Sequence, residues 1–191
     1  VVVDGMVVVV HDEGHHCKPS HRLTIRHNRE VLRVTMVCLG NICRSPMAAA
    51  VLQGKARQRG VAVVVGSAGT ASYHVGDGPN PMSHAVWSAA GYTYEHTAQQ
   101  FTVTMFDDSD LVLVMDAANR AGVLRLARTA TDTDKVHYLR SFDPELAHID
   151  PCGPQRHLLE VPDPWEQPRH AFEQVLTMVE RSVDGLLDGC V

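Results

Sequence analysis

Aromatic residues are scarce in this chain. Phe, Trp and Tyr together make up 5% of its 191 residues. No apolar run reaches the ~18 residues that mark a membrane-spanning helix, so no membrane role is expected. Positive charge is in deficit. Lys and Arg number 17 against 22 Asp and Glu, for a formal net charge of −5. No basic cluster offsets that balance, which argues against a nucleic-acid partner. Cysteine occurs five times, an odd count without regular spacing. That pattern is not a disulfide scaffold and fits a reducing cytoplasm. Internal repeats and a second domain are absent as well. What the chain does have is hydrophobic content of 45%, enough to fill a core. Its length suits one domain of about 150 residues and a tail.

Residues 1–32 are that tail, read as a disordered N-terminal extension. The run from Val1 to Val10 is apolar but short, and no positively charged segment precedes it. It makes a poor signal peptide, though secretion by another route stays open. The stretch from His11 to Cys17 is rich in His and Cys. In a polar tail such a stretch reads as unstructured rather than as a metal site, and no metal or cofactor is expected.

From residue 33 to 191 strand and helix patterns alternate. Strands are predicted at 33–38, 61–66, 110–115 and 136–139. Each is short, rich in Val and Leu, and nearly continuous, as parallel strands covered on both faces should be. Helices are predicted at 46–59, 81–91, 117–128 and 168–188. The expected fold is therefore α/β in three layers, a central four-stranded parallel sheet flanked by helices. In such sheets ligands bind beyond the carboxyl ends of the strands.

The first βα turn reads Cys38-Leu-Gly-Asn-Ile-Cys-Arg-Ser45, with Pro46 next. A cysteine ends a strand, a short loop wraps round, and an arginine closes it where a helix begins. A phosphate dianion needs converging donors, which a tight loop of backbone N–H groups and a helix N-terminus supply. Gly40 and Asn41 are the residues best able to take left-handed angles. Pro46 suits the first helical position. Arg44 can offer two phosphate oxygens a planar fork. Leu39, Gly40, Asn41, Ile42, Cys43, Arg44 and Ser45 are thus the candidate phosphate cradle. The same field favours a thiolate on Cys38, which could attack phosphorus in line and form phosphocysteine. Asp163 lies between two prolines in a proline-rich stretch. A stiff loop there could hold a carboxylic acid over the pocket, although Pro-Asp-Pro by itself is equally a surface turn.

The run from Cys38 to Pro46 resembles the signature loop of the low-molecular-weight protein tyrosine phosphatases. Further segments agree in order: Ser67-Ala-Gly-Thr70, Tyr73-His-Val-Gly76, Gly91-Tyr92, His96-Thr-Ala98, Asp110 to Asp116 with Asn119, Ser141-Phe-Asp-Pro144 and Pro162-Asp-Pro-Trp165. Together they span about residues 33 to 188, with actinobacterial-type members most alike. The resemblance implies hydrolysis of protein phosphotyrosine without a cofactor. It makes Cys38 the nucleophile, Arg44 the phosphate ligand and Asp163 the general acid, then base. It casts Asn41, Ser45, Ser67 and His96 as the support of the loop, Tyr73 and Trp165 as walls for a phenyl ring, and Cys43 as a redox partner of Cys38. A tyrosine-phosphorylated protein, such as a bacterial tyrosine kinase, would be the partner of a cytoplasmic monomer.

The chain departs from that pattern at Ala49, Gln99, Asn80 to Met82, and Glu166. These positions bear on the supporting shell and on substrate preference rather than on reacting groups. Three other readings follow from the same motif. An arsenate reductase would need a cysteine pair between Cys43 and Cys152, and none is there. A protein-arginine phosphatase would have Thr where this chain has bulky Ile42. A catalytically silent phosphate-binding module would not need Cys38, Arg44 and Asp163 all intact.

Overall fold

The computed structural model describes residues 31–190 and, before them, the backbone of Val2–Val3, Met6–Val8 and Ile25–Arg26, which pair as a small antiparallel sheet. The readings of the remaining tail, including the stretch from His11 to Cys17, lie outside the described residues.

The main sheet has four strands: β1 Leu32–Cys38, β2 Val63–Gly69, β3 Leu111–Val114 and β4 Val136–Tyr138. All neighbours are parallel, in the order β2-β1-β3-β4. Among the described residues six α-helices flank it: α1 Arg44–Arg59, α2 Pro81–Ala89, the single turn α3 Met105–Asp108, α4 Ala117–Leu124, α5 Ala130–Asp134 and α6 Arg169–Asp188. The expected three-layer α/β architecture is the one observed.

Side-chain alternation divides the core into two layers. Val34 and Met36 of β1 and Leu111 and Leu113 of β3 face the layer that holds Met47, Leu52, Trp87, Phe172 and Val179. Val37, Val112 and Val114 face the opposite layer, with Phe101, Phe106, Val123 and Leu159. In α6 the buried residues Phe172, Val175, Leu176, Val179, Val183, Leu186 and Leu187 recur at helical spacing and form one stripe. Among the described residues no helix is long and apolar enough to cross a membrane.

Boundaries differ from the sequence reading where local signals were weak. β2 begins at Val63 and runs on to Gly69, because its pairing with β1 continues to the Cys38↔Gly69 position. Helix α1 begins at Arg44 rather than Pro46. Pro46 is then its third residue, still inside the first turn, where an N–H has no helical acceptor. α3 and α5, of four and five residues, carry too few turns for an apolar period to show.

Strand order reverses at β1, with β2 on one side and β3 on the other. The turn after β1 therefore opens into the crevice where doubly wound sheets bind ligands. Cys38 is the last residue of β1 and Arg44 the first of α1.

Candidate active site

A cleft of about 320 Å³ sits on this turn, lined by Cys38, Leu39, Gly40, Ile42, Cys43 and Arg44 on one side and by Tyr73, His74, Asp163 and Trp165 on the other. It brings together three segments far apart in sequence. All three predicted reacting residues border it.

Cys38 lies at its floor and is nearly inaccessible, 3% exposed. The Asn41 N–H donates to Cys38 Sγ at 3.2 Å, and the Ser45 hydroxyl lies 3.0 Å from the same sulfur. Among the described residues the N–H groups of Leu39, Gly40, Ile42 and Cys43 donate to no backbone carbonyl. Donors so placed at a helix N-terminus are of the kind that can receive an anion.

Asn41 holds the loop in shape. It takes φ 57°, the left-handed region. Gly40 does not; its small size matters instead, since a Cβ there would lie 3.0 Å from His74 Cδ2. The strain at Asn41 is offset by hydrogen bonds on every polar atom. Its Nδ2 donates to Ser45 Oγ at 2.9 Å and to Ser67 Oγ at 3.0 Å. Its Oδ1 accepts the Gln99 N–H at 2.9 Å. His96 Nε2 lies 2.6 Å from its carbonyl oxygen, and His96 Nδ1 lies 3.4 Å from Ser67 Oγ. Burial lowers the His96 pKa below its ordinary value against the pull of that carbonyl. The neutral ring then donates through Nε2 and accepts through Nδ1, closing a cycle through Asn41, Ser67 and His96. Asn41, Ser45, Ser67 and His96, the four residues expected to support the loop, are thus joined by hydrogen bonds. Gln99, a departure from the family pattern, adds to it: its Nε2 donates to the Ser67 carbonyl at 3.0 Å. Asn80 is also a functional departure, capping α2 through bonds from Met82 N and Ser83 N. Ala49 is fully buried on the core side of α1.

Arg44 is 3% exposed. Nη1 donates to Asp116 Oδ2 at 2.6 Å and to the Val161 carbonyl at 3.2 Å, while Nη2 meets Asp163 Oδ2 at 2.6 Å. Nε is buried without a partner among the described residues. Burial pulls the guanidinium pKa down, but the Cys38 sulfur, Asp163 and Asp116 outweigh it and hold it above its ordinary value. The group stays a cation. Burial, then the charges of Cys38 and Asp163, pushes the Cys43 thiol up to about 12. Cys38, Cys43 and Cys190 are free thiols. Cys152 is disulfide-bonded.

The loop that carries Asp163 starts from the sheet. Val161 N donates to Met115 O at 2.7 Å, just past the end of β3. Pro162 and Pro164 restrict the turn, and the Trp165 N–H donates back to Asp163 Oδ1 at 3.2 Å. Tyr73 is 78% exposed and Trp165 44%, and both line the cleft. Sequence reasoning missed Asp116 and His74. Asp116 sits beyond the carboxyl end of β3, a position that could have marked it. Asp143, in another of the matching segments, is structural: it is fully buried and accepts Arg181 Nε at 2.8 Å.

Comparison with known proteins agrees with this geometry. The family model for low molecular weight phosphotyrosine protein phosphatase matches residues 33–190. A low molecular weight protein-tyrosine-phosphatase of Streptomyces coelicolor is 43% identical over 157 residues, covering 81% of this chain and 91% of the relative. The low molecular weight protein-tyrosine phosphatase A of Mycobacterium tuberculosis is 38% identical over 159 residues, covering 82% and 90%. Among solved structures, a low molecular weight phosphotyrosine phosphatase of Vibrio cholerae superposes with TM-score 0.70 at 30% identity, covering 82% of this chain and 95% of its own. YfkJ of Bacillus subtilis does so with TM-score 0.71 at 27% identity, covering 85% and 96%. The chain belongs to the low molecular weight phosphotyrosine protein phosphatase family.

Proposed function

We propose that this protein hydrolyses phosphotyrosine in proteins by way of a phosphocysteine intermediate. The observation that carries the reading is the meeting of Cys38, Arg44 and Asp163 around one cleft, at the N-terminus of α1. The unpaired loop N–H groups and Arg44 Nε would take the phosphate oxygens. Cys38 Sγ would then attack phosphorus as the bond to the tyrosyl oxygen breaks, and Asp163 would give that oxygen its proton. In the second step a water molecule loses a proton to Asp163 and attacks the phosphocysteine. The P–S bond breaks and phosphate leaves. The Ser45 hydroxyl, 3.0 Å from the sulfur, eases the departure of the thiolate. The aromatic walls Tyr73 and Trp165 suit a phenyl ring, and Ile42 in the floor narrows the site against a polar guanidinium. A cytoplasmic monomer acting on a tyrosine-phosphorylated protein, such as a tyrosine kinase, is the setting that fits this reading.

The test is hydrolysis of a phosphotyrosine peptide in EDTA beside phosphoserine and phosphoarginine substrates. Turnover of phosphotyrosine alone is expected. Cys38→Ser should be inactive, and Asp163→Ala slowed by roughly 10²–10⁴, the scale of a lost general acid. Preferred turnover of phosphoarginine would sink the Ile42 argument. A folded protein with no turnover at all would leave a phosphate-binding module.

A further inference from the structure

His74 has no part in the chemistry above, yet it touches both loops that carry it out. Its ring packs on the phosphate loop, since a Cβ on Gly40 would lie 3.0 Å from His74 Cδ2. The same ring lies 5.7 Å from the Trp165 ring of the acid loop, tilted by 45°. Nδ1 sits 3.0 Å from Asp77 Oδ2, which fixes the plane of the imidazole. The segment that carries His74 and Asp77 is itself fastened down. Gly76 N donates to Ala98 O at 2.8 Å, and Ala98 N to Asp77 O at 2.8 Å, two residues from His96 of the loop-supporting cycle.

The acid loop needs such a support. From Pro162 to Pro168 only Pro164 is buried. Besides the burial of Pro164, the loop is held by the Val161 bond to Met115, the Arg44 contacts to the Val161 carbonyl and Asp163, and the His74 contact to Trp165. The last of these reaches the acid directly, because the Trp165 N–H donates to Asp163 Oδ1. Arg44, for its part, must also serve the phosphate. We propose that His74, held by Asp77, is a positioning residue that braces the acid loop against the phosphate loop and so sets the place of the Asp163 carboxyl. The inference rests on the phosphatase reading for its kinetic consequence and on geometry alone for the brace.

A general acid matters in proportion to how badly the leaving group needs a proton. A series of aryl phosphates with leaving phenols of increasing acidity therefore separates positioning of Asp163 from every other role. The rate constant to follow is kcat/KM, which reports steps up to phosphocysteine formation, in wild type, His74→Ala, Asp163→Asn and the double variant. His74→Ala should lose about tenfold on phosphotyrosine, the upper range for one aromatic contact. It should lose under about twofold on the most acidic phenol, and nothing further in the Asp163→Asn background. His74→Phe, which keeps a ring against Trp165, should recover most of the loss. A uniform loss across the series, or losses that multiply in the double variant, would overturn the proposal. A second readout does not depend on activity. In a Trp87→Phe protein the remaining emission is that of Trp165, and His74→Ala should alter it and raise its quenching by acrylamide. Unchanged emission would overturn the brace even if phosphotyrosine is turned over. An inactive wild type whose Trp165 emission responds to His74→Ala would instead sink the phosphatase reading and leave the brace standing.

Discussion

Arg44 Nη2 lies 2.6 Å from Asp163 Oδ2, so the cation expected to hold phosphate is in contact with the carboxyl expected to protonate the leaving group. The contact joins the N-terminus of α1 to a loop 119 residues further along the chain. Asp116 holds Nη1 at 2.6 Å, and among the described residues Nε has no partner. A planar fork with one edge fixed is pre-organised for an oxyanion. Lysine, a point charge, cannot hold both carboxylates and still present that edge. Arg44→Lys should lower kcat/KM for a phosphotyrosine peptide by about 10²–10³, the cost of removing a preorganised donor. Asp116→Ala, which spares the fork but frees its anchor, should lose less, about tenfold by comparison with other orienting contacts. Steady-state kinetics on folded variants decide this; equal losses for the two would mean Asp116 is a direct participant.

The left-handed backbone of Asn41 and its hydrogen bonds to Ser45, Ser67, Gln99 and His96 are one unit. Asn41→Ala keeps the strain and strands the Oγ atoms and the Gln99 N–H. It should destabilise the protein by about 2–3 kcal/mol in urea unfolding. Asn41→Gly removes the strain and should be about 1 kcal/mol more stable than Asn41→Ala. Both should be more than tenfold slower, since neither restores the network. An Asn41→Gly enzyme with near wild-type activity would show that φ alone shapes the loop.

Much of this site was legible in the sequence because its reacting residues sit on one local motif. Cys38 to Ser45 follows a strand of continuous apolar residues and precedes a helix, and the structure closes that run as the chemistry requires. Asp163 was legible only through the family's acid loop. Nothing local marks one Pro-Asp-Pro as catalytic. Asp116 and His74 escaped for a different reason. Their work depends on distances to Arg44 and Trp165 across 72 and 91 positions, which no spacing rule encodes. Ala49, Gln99 and Asn80 looked like losses in the sequence. In the fold Ala49 packs in the core, the Gln99 amide donates to the Ser67 carbonyl, and the Asn80 side chain accepts from Met82 N and Ser83 N to cap a helix.

If Cys43 resolves an oxidised Cys38, as the family resemblance implies, it is still poorly disposed to react first. Its thiol, pushed up to about 12 by burial and then by the Cys38 charge, keeps its proton at neutral pH. Peroxide should therefore attack Cys38, giving a neutral sulfenic acid. The Cys43 sulfur would then attack the sulfenic sulfur, giving up its proton, releasing water and closing a disulfide. Activity lost to brief peroxide should return with dithiothreitol in wild type and not in Cys43→Ser. Full recovery in both would make Cys43 a packing residue.

Two histidines predict how stability changes with pH. Burial lowers the His96 pKa, and burial lowers that of His137 from 6.5 to about 4. Both are neutral in the fold, so the unfolded chain binds more protons between their folded values and about 6.5. Stability is then complete above pH 6.5 and falls as the pH drops below it, by up to about 1.4 kcal/mol per unit for each group. For His137 the loss continues down to about pH 4. Asp107 and Asp132, held low by Arg128, act in a separate window below about 3.8. The melting temperature should fall between pH 7 and pH 5, and His137→Gln should flatten that slope. A slope unchanged by the substitution would mean that His137 binds its proton equally in the folded and unfolded chain.

Gly69, the last residue of β2, provides the sharpest test of how tightly the phosphate loop is held. A Cβ there would lie 2.7 Å from the Leu39 carbonyl oxygen and 3.1 Å from Asn41 N. Both are backbone atoms, and neither can swing aside as a side chain would. The loop is also tied to this spot by bonds from Thr70 N to Cys38 O at 2.9 Å and from Ala71 N to Leu39 O at 3.0 Å. One methyl group must therefore push the loop off β2, where an ångström of misplacement is enough to cost two orders of magnitude. Gly69→Ala should lower kcat/KM about 10²-fold and weaken inorganic phosphate as an inhibitor in parallel. Its stability should fall by only about 1–3 kcal/mol, the usual range for overpacking. Gly66→Ala, three residues earlier on the same strand, meets nothing closer than Thr35 Oγ1 at 3.7 Å and should be near wild type. Equal activity in the two variants would mean that the loop follows the strand and is not shaped by contact with it.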